Sequence, residues 1–211
     1  MLGDKELYLI NGSLFILVGI ISYLLGRVII IVIKLKKREK MYWLNEFLLF
    51  LFAFYGCMVV SVTLFPLPIG INSNIEIGNP SVNLVPFKSI IYSVSLIGVA
   101  YDGDAGFMIG LIVRNVGGNI LLLMPLGFLI PILWNKFRHI KYILLVGCSV
   151  SVSIELLQYL ESRTGALGRV TDIDDVFFNV LGVAIGYLSY KLFLKIVGKF
   201  LINNKGQSMN Y

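Results

Sequence analysis

The sequence predicts an all-α, polytopic integral membrane protein with about five transmembrane helices. Of its 211 residues, 57% are hydrophobic and only 14% are charged, and the mean hydropathy is +0.85. A soluble domain of this length has no interior large enough for so much apolar sequence. Several apolar runs reach the roughly 20 residues that a helix needs to cross a bilayer. Basic residues cluster between these runs.

The first two spans are separated by a basic loop. The first apolar run covers residues 7–33 and contains Arg27. We interpret it as an uncleaved spanning helix and not as a signal peptide, because its basic n-region is weak and no small-residue cleavage site follows. The basic segment 34–40 comes next, and the second span is predicted at residues 43–65, with Trp43 as an interfacial anchor.

A long segment, residues 67–117, precedes the third span. Within it, residues 89–101 are too short to cross the membrane, so they are expected in the outer interface or as a re-entrant piece. The same two alternatives apply to residues 107–113. The third span is then predicted at residues 118–134, with the fourth at 142–160.

The fifth span is predicted at residues 176–197. The elements together suggest three parts: residues 1–42, with the first span and the basic loop; residues 43–197, a four-helix membrane domain; and residues 198–211, a polar tail.

Both cysteines, Cys57 and Cys148, fall inside apolar runs, so no disulfide framework is expected.

The distribution of basic residues predicts the orientation. Placing residues 34–40, residues 135–141 and the C-terminal tail inside puts five, three and four basic residues there, counting Lys191 and Lys195 at the end of the fifth span with the tail. By the positive-inside rule, the N-terminus is expected outside and the C-terminus in the cytoplasm of the cell. The net charge of +6 is therefore a topology signal facing anionic lipid. Membrane lipid is the expected partner; no nucleic acid and no cofactor is expected.

Under this topology, the unusual polar residues fall at the outer ends of the last two spans. Charged and amide groups inside apolar helices cost several kcal/mol unless they face one another or water, so they mark a candidate functional site. One helix face of the fourth span carries Ser151, Glu155 and Gln158. One face of the fifth span carries Asp172, Asp175, Asn179, Gly182 and Gly186.

The same residues also suit purely structural roles. Thr171, Asp172 or Asp174 would suit the N-cap of the fifth span, and Arg169 could be a loop charge. Gly182 and Gly186 form G-x-x-x-G, a spacing that allows close helix packing against the third or fourth span. Such packing would hold the polar face of the fifth span against Glu155 and Gln158.

Metal binding has weak support from the sequence. Asp172, Asp174 and Asp175 form D-x-D-D, and with Glu155 they offer oxygen ligands of the kind that Mg²⁺ or Ca²⁺ prefers. This short pattern alone is not specific, and no metal site is predicted.

Four ordered motifs carry a family resemblance. They are N-L-V-P-F at residues 83–87, G-N-I-L-L-L-M-P-L-G-F-L-I-P at 118–131, I-E-L-L-Q at 154–158 and G-R-V-T-D-I-D-D-V-F-F-N-V-L-G-V-A-I-G at 168–186. In this order, over roughly residues 43–195, the chain resembles the VanZ-like family of bacterial membrane proteins. The family pattern corresponds to Asn83, Pro86, Phe87, Asn119, Pro125, Gly127, Glu155, Gln158, Arg169, Asp172, Asp175, Asn179, Gly182 and Gly186.

The resemblance implies low-level resistance to teicoplanin-type lipoglycopeptides. Such drugs anchor by an acyl tail in the outer leaflet and bind a lipid-linked cell-wall precursor there. The first hypothesis is therefore non-enzymatic binding of drug or precursor, with Arg169 for an anionic head group and Glu155 and Asp175 for amines or hydroxyls. The other candidate binding residues are Asn83, Asn119, Gln158, Asp172 and Asn179.

The alternative is an enzyme that modifies an outer-leaflet lipid, a precursor or the antibiotic. Glu155 and Asp175 would then be the catalytic acid and base. Against this, the single histidine, His139, is predicted on a cytoplasmic loop, and no G-x-S-x-G or H-E-x-x-H motif occurs. Transport is the least favoured class, because the first two spans offer little polar lining beyond Arg27, Asn45 and Glu46.

Overall fold

The computed structural model describes residues 8–69, 81–163 and 170–208. In this part of the chain, five helices are long and apolar enough to cross a membrane, and a shorter helix, α3, covers Lys88–Ser95. This confirms the all-α polytopic class. The five long helices are α1 Gly12–Lys36, α2 Trp43–Leu64, α4 Ala105–Leu133, α5 Ile140–Arg163 and α6 Ile173–Ser208.

Helix α4 begins well before the predicted residue 118, so the predicted start of the third span was wrong. The side chain of Asp104 caps the helix by accepting a hydrogen bond from the Phe107 N–H at 2.9 Å. Arg114, Gly117 and Gly118 lie inside the helix. Glycine weakens a helix by only about 1 kcal/mol relative to alanine, so the helix continues through the two glycines.

Two short strand ladders were not predicted. Strand β1, Tyr8–Ile10, pairs antiparallel with β2, Leu67–Ile69. Strand β3, Ser81–Asn83, pairs parallel with β4, Val170–Asp172. The second ladder brings two of the predicted site residues together, because its register places Asn83 opposite Asp172.

The chain divides into two compact units. Unit 1 comprises Met1–Pro86 and Val152–Ile173, and unit 2 comprises Phe87–Ser151 and Asp174–Tyr211. Unit 1 therefore holds α1, α2, both ladders and the last turns of α5. Unit 2 holds α3, α4, the first turns of α5 and almost all of α6. The three-part division expected from the sequence stays a prediction.

In unit 1, α1 and α2 pack as an antiparallel pair. Near one end, a Cβ on Gly12 would lie against the Ser61 hydroxyl, so the two helices are close together there. Near the other end, Arg27 of α1 forms an ion pair with Glu46 of α2, and Lys34 Nζ lies 3.4 Å from the second Glu46 oxygen. Pairing removes much of the cost of placing these charges in apolar helices.

In unit 2, the backbones of α4 and α6 are in direct contact. A Cβ on Gly182 would overlap the carbonyl oxygen of Ile120, and one on Gly186 would overlap that of Met124. From the other side, a Cβ on Gly127 of α4 would overlap the carbonyl oxygen of Val183. The G-x-x-x-G motif therefore packs against the third span, one of the two partners that the sequence allowed.

Candidate functional site

Unit 1 contains a polar group that we call the Glu155 cluster, with Thr63, Glu155 and Asp172 buried and Asn83 and Gln158 half-buried. Glu155 lies in the last third of α5 and is 6% exposed; Asp172 ends β4 and is 8% exposed. The two residues are joined directly, because Glu155 Oε2 accepts a hydrogen bond from the Asp172 N–H at 3.0 Å. The Glu155 carboxylate thus positions the backbone of Asp172, the residue that carries the second carboxylate.

Asn83 extends this chain of hydrogen bonds. Its Nδ2 donates to Asp172 Oδ1 at 2.9 Å, and its Oδ1 accepts from the Val85 N–H at 3.2 Å. The β3–β4 register brings the two side chains together across 89 residues of sequence. Both ends of the Asn83 amide are engaged, so its orientation and that of the Asp172 carboxylate are fixed together.

Gln158, one turn beyond Glu155, joins α5 to the end of α2. Its Nε2 donates to the Thr63 carbonyl at 3.0 Å, and the Thr63 hydroxyl donates to the Val59 carbonyl at 2.8 Å. Because α2 ends at Leu64, the Thr63 carbonyl is one of the last four carbonyls of that helix, which have no partner within it. Gln158 supplies that partner.

Unit 2 contains a second polar group, the Asp175 cluster: Asn119, Ser151, Asp175 and Asn179. Asn119 of α4 donates from Nδ2 to Asp175 Oδ1 of α6 at 2.5 Å. One turn along α6, Asn179 is 1% exposed and donates from Nδ2 to the Ser151 hydroxyl at 2.9 Å. Among the described residues, Asn179 Oδ1 has no hydrogen-bond partner.

The glycine contacts explain why the Asp175 cluster forms. Asp175, Asn179 and Gly182 share one face of α6, and Gly182 lies against Ile120. Asn119 immediately precedes Ile120, so the close approach of the two backbones brings the short Asn119 side chain within reach of Asp175.

Asp174 holds a different element of unit 2. Its Oδ1 accepts a hydrogen bond from the Phe87 N–H, and the Phe87 ring stacks on Phe177 with centroids 5.9 Å apart. Phe87 has a φ of 62°, in the left-handed region that a bulky residue adopts only when its surroundings hold it there. These contacts tie the start of α3 to the first turns of α6.

Residues 52–194 match the family model described as VanZ/LLP1, which is more than half of the chain. The chain belongs to the VanZ/LLP1 family. No curated protein and no solved structure matches it. Together with the five apolar helices, the family makes this a multi-pass membrane protein. Both polar clusters lie inside the matched range, whereas α1 lies before it.

The VanZ-like residues predicted from the sequence are distributed over both units. Asn83, Glu155, Gln158 and Asp172 belong to the Glu155 cluster, and Asn119, Asp175 and Asn179 to the Asp175 cluster. Arg169 lies outside the described residues. The expected meeting of the Asp175 face with Glu155 and Gln158 stays a prediction. Within the described ranges, no group of three or more His, Cys, Asp or Glu side chains could hold a metal ion.

The sequence reasoning missed Thr63 and gave Asp174 only a capping or metal-binding role. Thr63 carried a weak signal, because a threonine three residues before Pro66 stands at the end of an otherwise apolar span. Asp174 falls outside the motif positions of the VanZ/LLP1 resemblance. Its contact with Phe87 joins residues 87 positions apart, which no local pattern reveals.

Proposed function

We propose that this VanZ-like protein confers low-level resistance to teicoplanin-type lipoglycopeptides, and that the Glu155 cluster binds the drug or its lipid-linked cell-wall precursor in the outer leaflet. One observation carries the proposal. Glu155 is buried in a spanning helix and accepts a hydrogen bond from the Asp172 N–H. The Asp172 carboxylate in turn accepts a hydrogen bond from the Asn83 amide. Ionisable groups at membrane depth are costly and mark functional sites by default.

The chemistry of the cluster suits a ligand that donates hydrogen bonds. Glu155 and Asp172 present carboxylate oxygens, which accept strong hydrogen bonds from amines and hydroxyls. Their orientation is fixed by backbone and amide donors before any ligand arrives, which lowers the entropic cost of binding. Arg169 remains our proposed partner for an anionic group of the same ligand.

The depth of Glu155 supports a lipid-anchored ligand. Helix α5 ends at Arg163, so Glu155 lies about 12 Å from that end at the usual rise of 1.5 Å per residue. With the N-terminus outside, as we propose from the basic residues, this places Glu155 at the level where an acyl-anchored drug enters the outer leaflet. We expect a glycopeptide without an acyl anchor to stay above this depth.

Binding is testable with the purified protein in lipid nanodiscs. Retention of teicoplanin, and separately of the lipid-linked precursor, is measured for the wild type and for Glu155→Gln. We expect the variant to lose about 10-fold to 100-fold in affinity for the ligand, because a hydrogen bond to a charged group contributes about 1.5–3 kcal/mol. Glu39→Gln, at an exposed position, is the matched control and should retain wild-type affinity. Equal affinity of Glu155→Gln and wild type for both ligands contradicts the proposal.

The same samples separate binding from catalysis. Binding leaves the masses of drug and precursor unchanged after incubation. A mass change that is lost in Glu155→Gln and Asp175→Asn would instead establish the enzymatic alternative, with these two carboxylates as acid and base.

A further inference from the structure

In unit 2, loop residues 134–142 and the second half of α6 are rich in exposed basic residues, which we call the basic face. Its five exposed cations are Lys136, Arg138, Lys141, Lys191 and Lys195. The sequence has no aspartate or glutamate at residues 105–154 or 176–211, so these cations have no acidic neighbour along their own segments. The α1–α2 pair differs, because there Arg27 and Lys34 both contact Glu46.

Tyr187 connects the loop part of this basic face with its helix part. Its hydroxyl donates a hydrogen bond to the Arg138 carbonyl at 2.9 Å, and Tyr187 is 6% exposed. Lys191, one turn further along α6, places its Nζ 5.6 Å from the centroid of the Tyr187 ring. One buried tyrosine thus contacts both the backbone of Arg138 in the loop and the ammonium group of Lys191 in the helix.

The spacing along α6 predicts that the basic face lies at the level of the membrane surface. Lys191 follows Asp174 by 17 positions on α6, which is about 26 Å at 1.5 Å per residue and close to the thickness of the bilayer hydrocarbon. Exposed Trp134 and Tyr142 flank the loop, as aromatic residues do at the level of lipid head groups.

We propose that this basic face binds the phosphate-bearing head group of an anionic membrane phospholipid. Arginine and lysine are the natural donors to phosphate oxygens, and the lack of local acids leaves their attraction uncancelled. The flanking aromatic rings and apolar helix surfaces would contact the lipid's glycerol and acyl chains. This inference is independent of the Glu155 cluster and of any drug.

The test is lipid retention by the full-length protein after detergent purification, measured by native mass spectrometry. We expect phosphatidylglycerol to be retained in preference to phosphatidylcholine. A cation near an anionic lipid surface contributes about five-fold in affinity, so Arg138→Gln combined with Lys191→Gln should weaken phosphatidylglycerol binding roughly 25-fold. Arg138→Lys combined with Lys191→Arg keeps both charges and should retain binding.

A second pair controls for net charge. Lys36→Gln combined with Lys37→Gln removes two exposed cations near the α1–α2 loop and should leave retention unchanged. Should the Arg138 and Lys191 pair fail to fold, Lys195→Gln alone replaces it, with an expected five-fold loss. Any of three results would overturn the proposal. They are equal retention of the two lipids, an equal loss of retention in the variant with Lys36→Gln and Lys37→Gln, and displacement of the lipid by inorganic phosphate at equal concentration.

Discussion

At the scale of single residues, Asn83 is the structural support of the Glu155 cluster. It donates to the Asp172 carboxylate while its own oxygen accepts from the Val85 backbone. Glu155 holds the same strand end through the Asp172 N–H. A glutamine at position 155 can still accept that bond, whereas alanine at position 83 can replace neither of the bonds that Asn83 makes. Stability and binding can therefore be separated by choosing which residue to change.

Asn83→Ala should destabilise the protein. The variant leaves a buried carboxylate without one of its donors, which costs about 1.5–3 kcal/mol in the free energy of unfolding. Denaturant unfolding in micelles measures this change, with Asn135→Ala at an exposed position as the control. A stability equal to that of the wild type would show that the hydrogen bond from Asn83 to Asp172 contributes nothing to the free energy of unfolding.

At the scale of helices, the contact between α4 and α6 depends on the absence of side chains. The carbonyls of Ile120 and Met124 occupy the space that a Cβ on Gly182 or Gly186 would need. Backbone atoms cannot move aside as the end of a flexible side chain can, so even a methyl group forces the helices apart.

Gly182→Ala should lower the thermal stability and the membrane level of the protein, with a cost of about 1–3 kcal/mol or more from overpacking. Gly118→Ala is the matched control on α4, because open space surrounds a Cβ there. That control should gain up to about 1 kcal/mol, since alanine favours a helix over glycine. If both variants have wild-type melting temperatures, the α4–α6 contact is not as close as described.

The helical character of the spans and the glycine contact between α4 and α6 were predictable, because both depend on local periodicity. The G-x-x-x-G face of α6 was visible from spacing alone, as were the spans that became α2, α5 and α6. The start of α4 was not predictable in this way, because Arg114, Gly117 and Gly118 carry no apolar periodicity. The ladder between β3 and β4 has three residues a side, too short to show a period of two, and its partners are far apart in sequence.

At the scale of the whole molecule, the orientation of the helices decides on which side of the membrane the Glu155 cluster works. The basic residues predict the N-terminus outside and the C-terminus inside. This orientation places the end of α5 outside and the loop between α1 and α2 inside.

Single cysteines test the orientation in a background with Cys57→Ala and Cys148→Ala. Ser162→Cys, near the end of α5, should react with a membrane-impermeant maleimide in intact cells. Lys37→Cys should react only after permeabilisation. The reverse pattern would place the Glu155 cluster on the cytoplasmic side and contradict an outer-leaflet site.

The most direct test of the central claim is drug susceptibility in a sensitive Gram-positive host at matched membrane levels of each variant. We expect wild-type protein to protect against teicoplanin but not against vancomycin. Glu155→Gln should lose this protection, whereas Glu39→Gln and Asp102→Asn, at exposed positions, should keep it. Full teicoplanin protection by Glu155→Gln, or none by the wild type, would contradict the account.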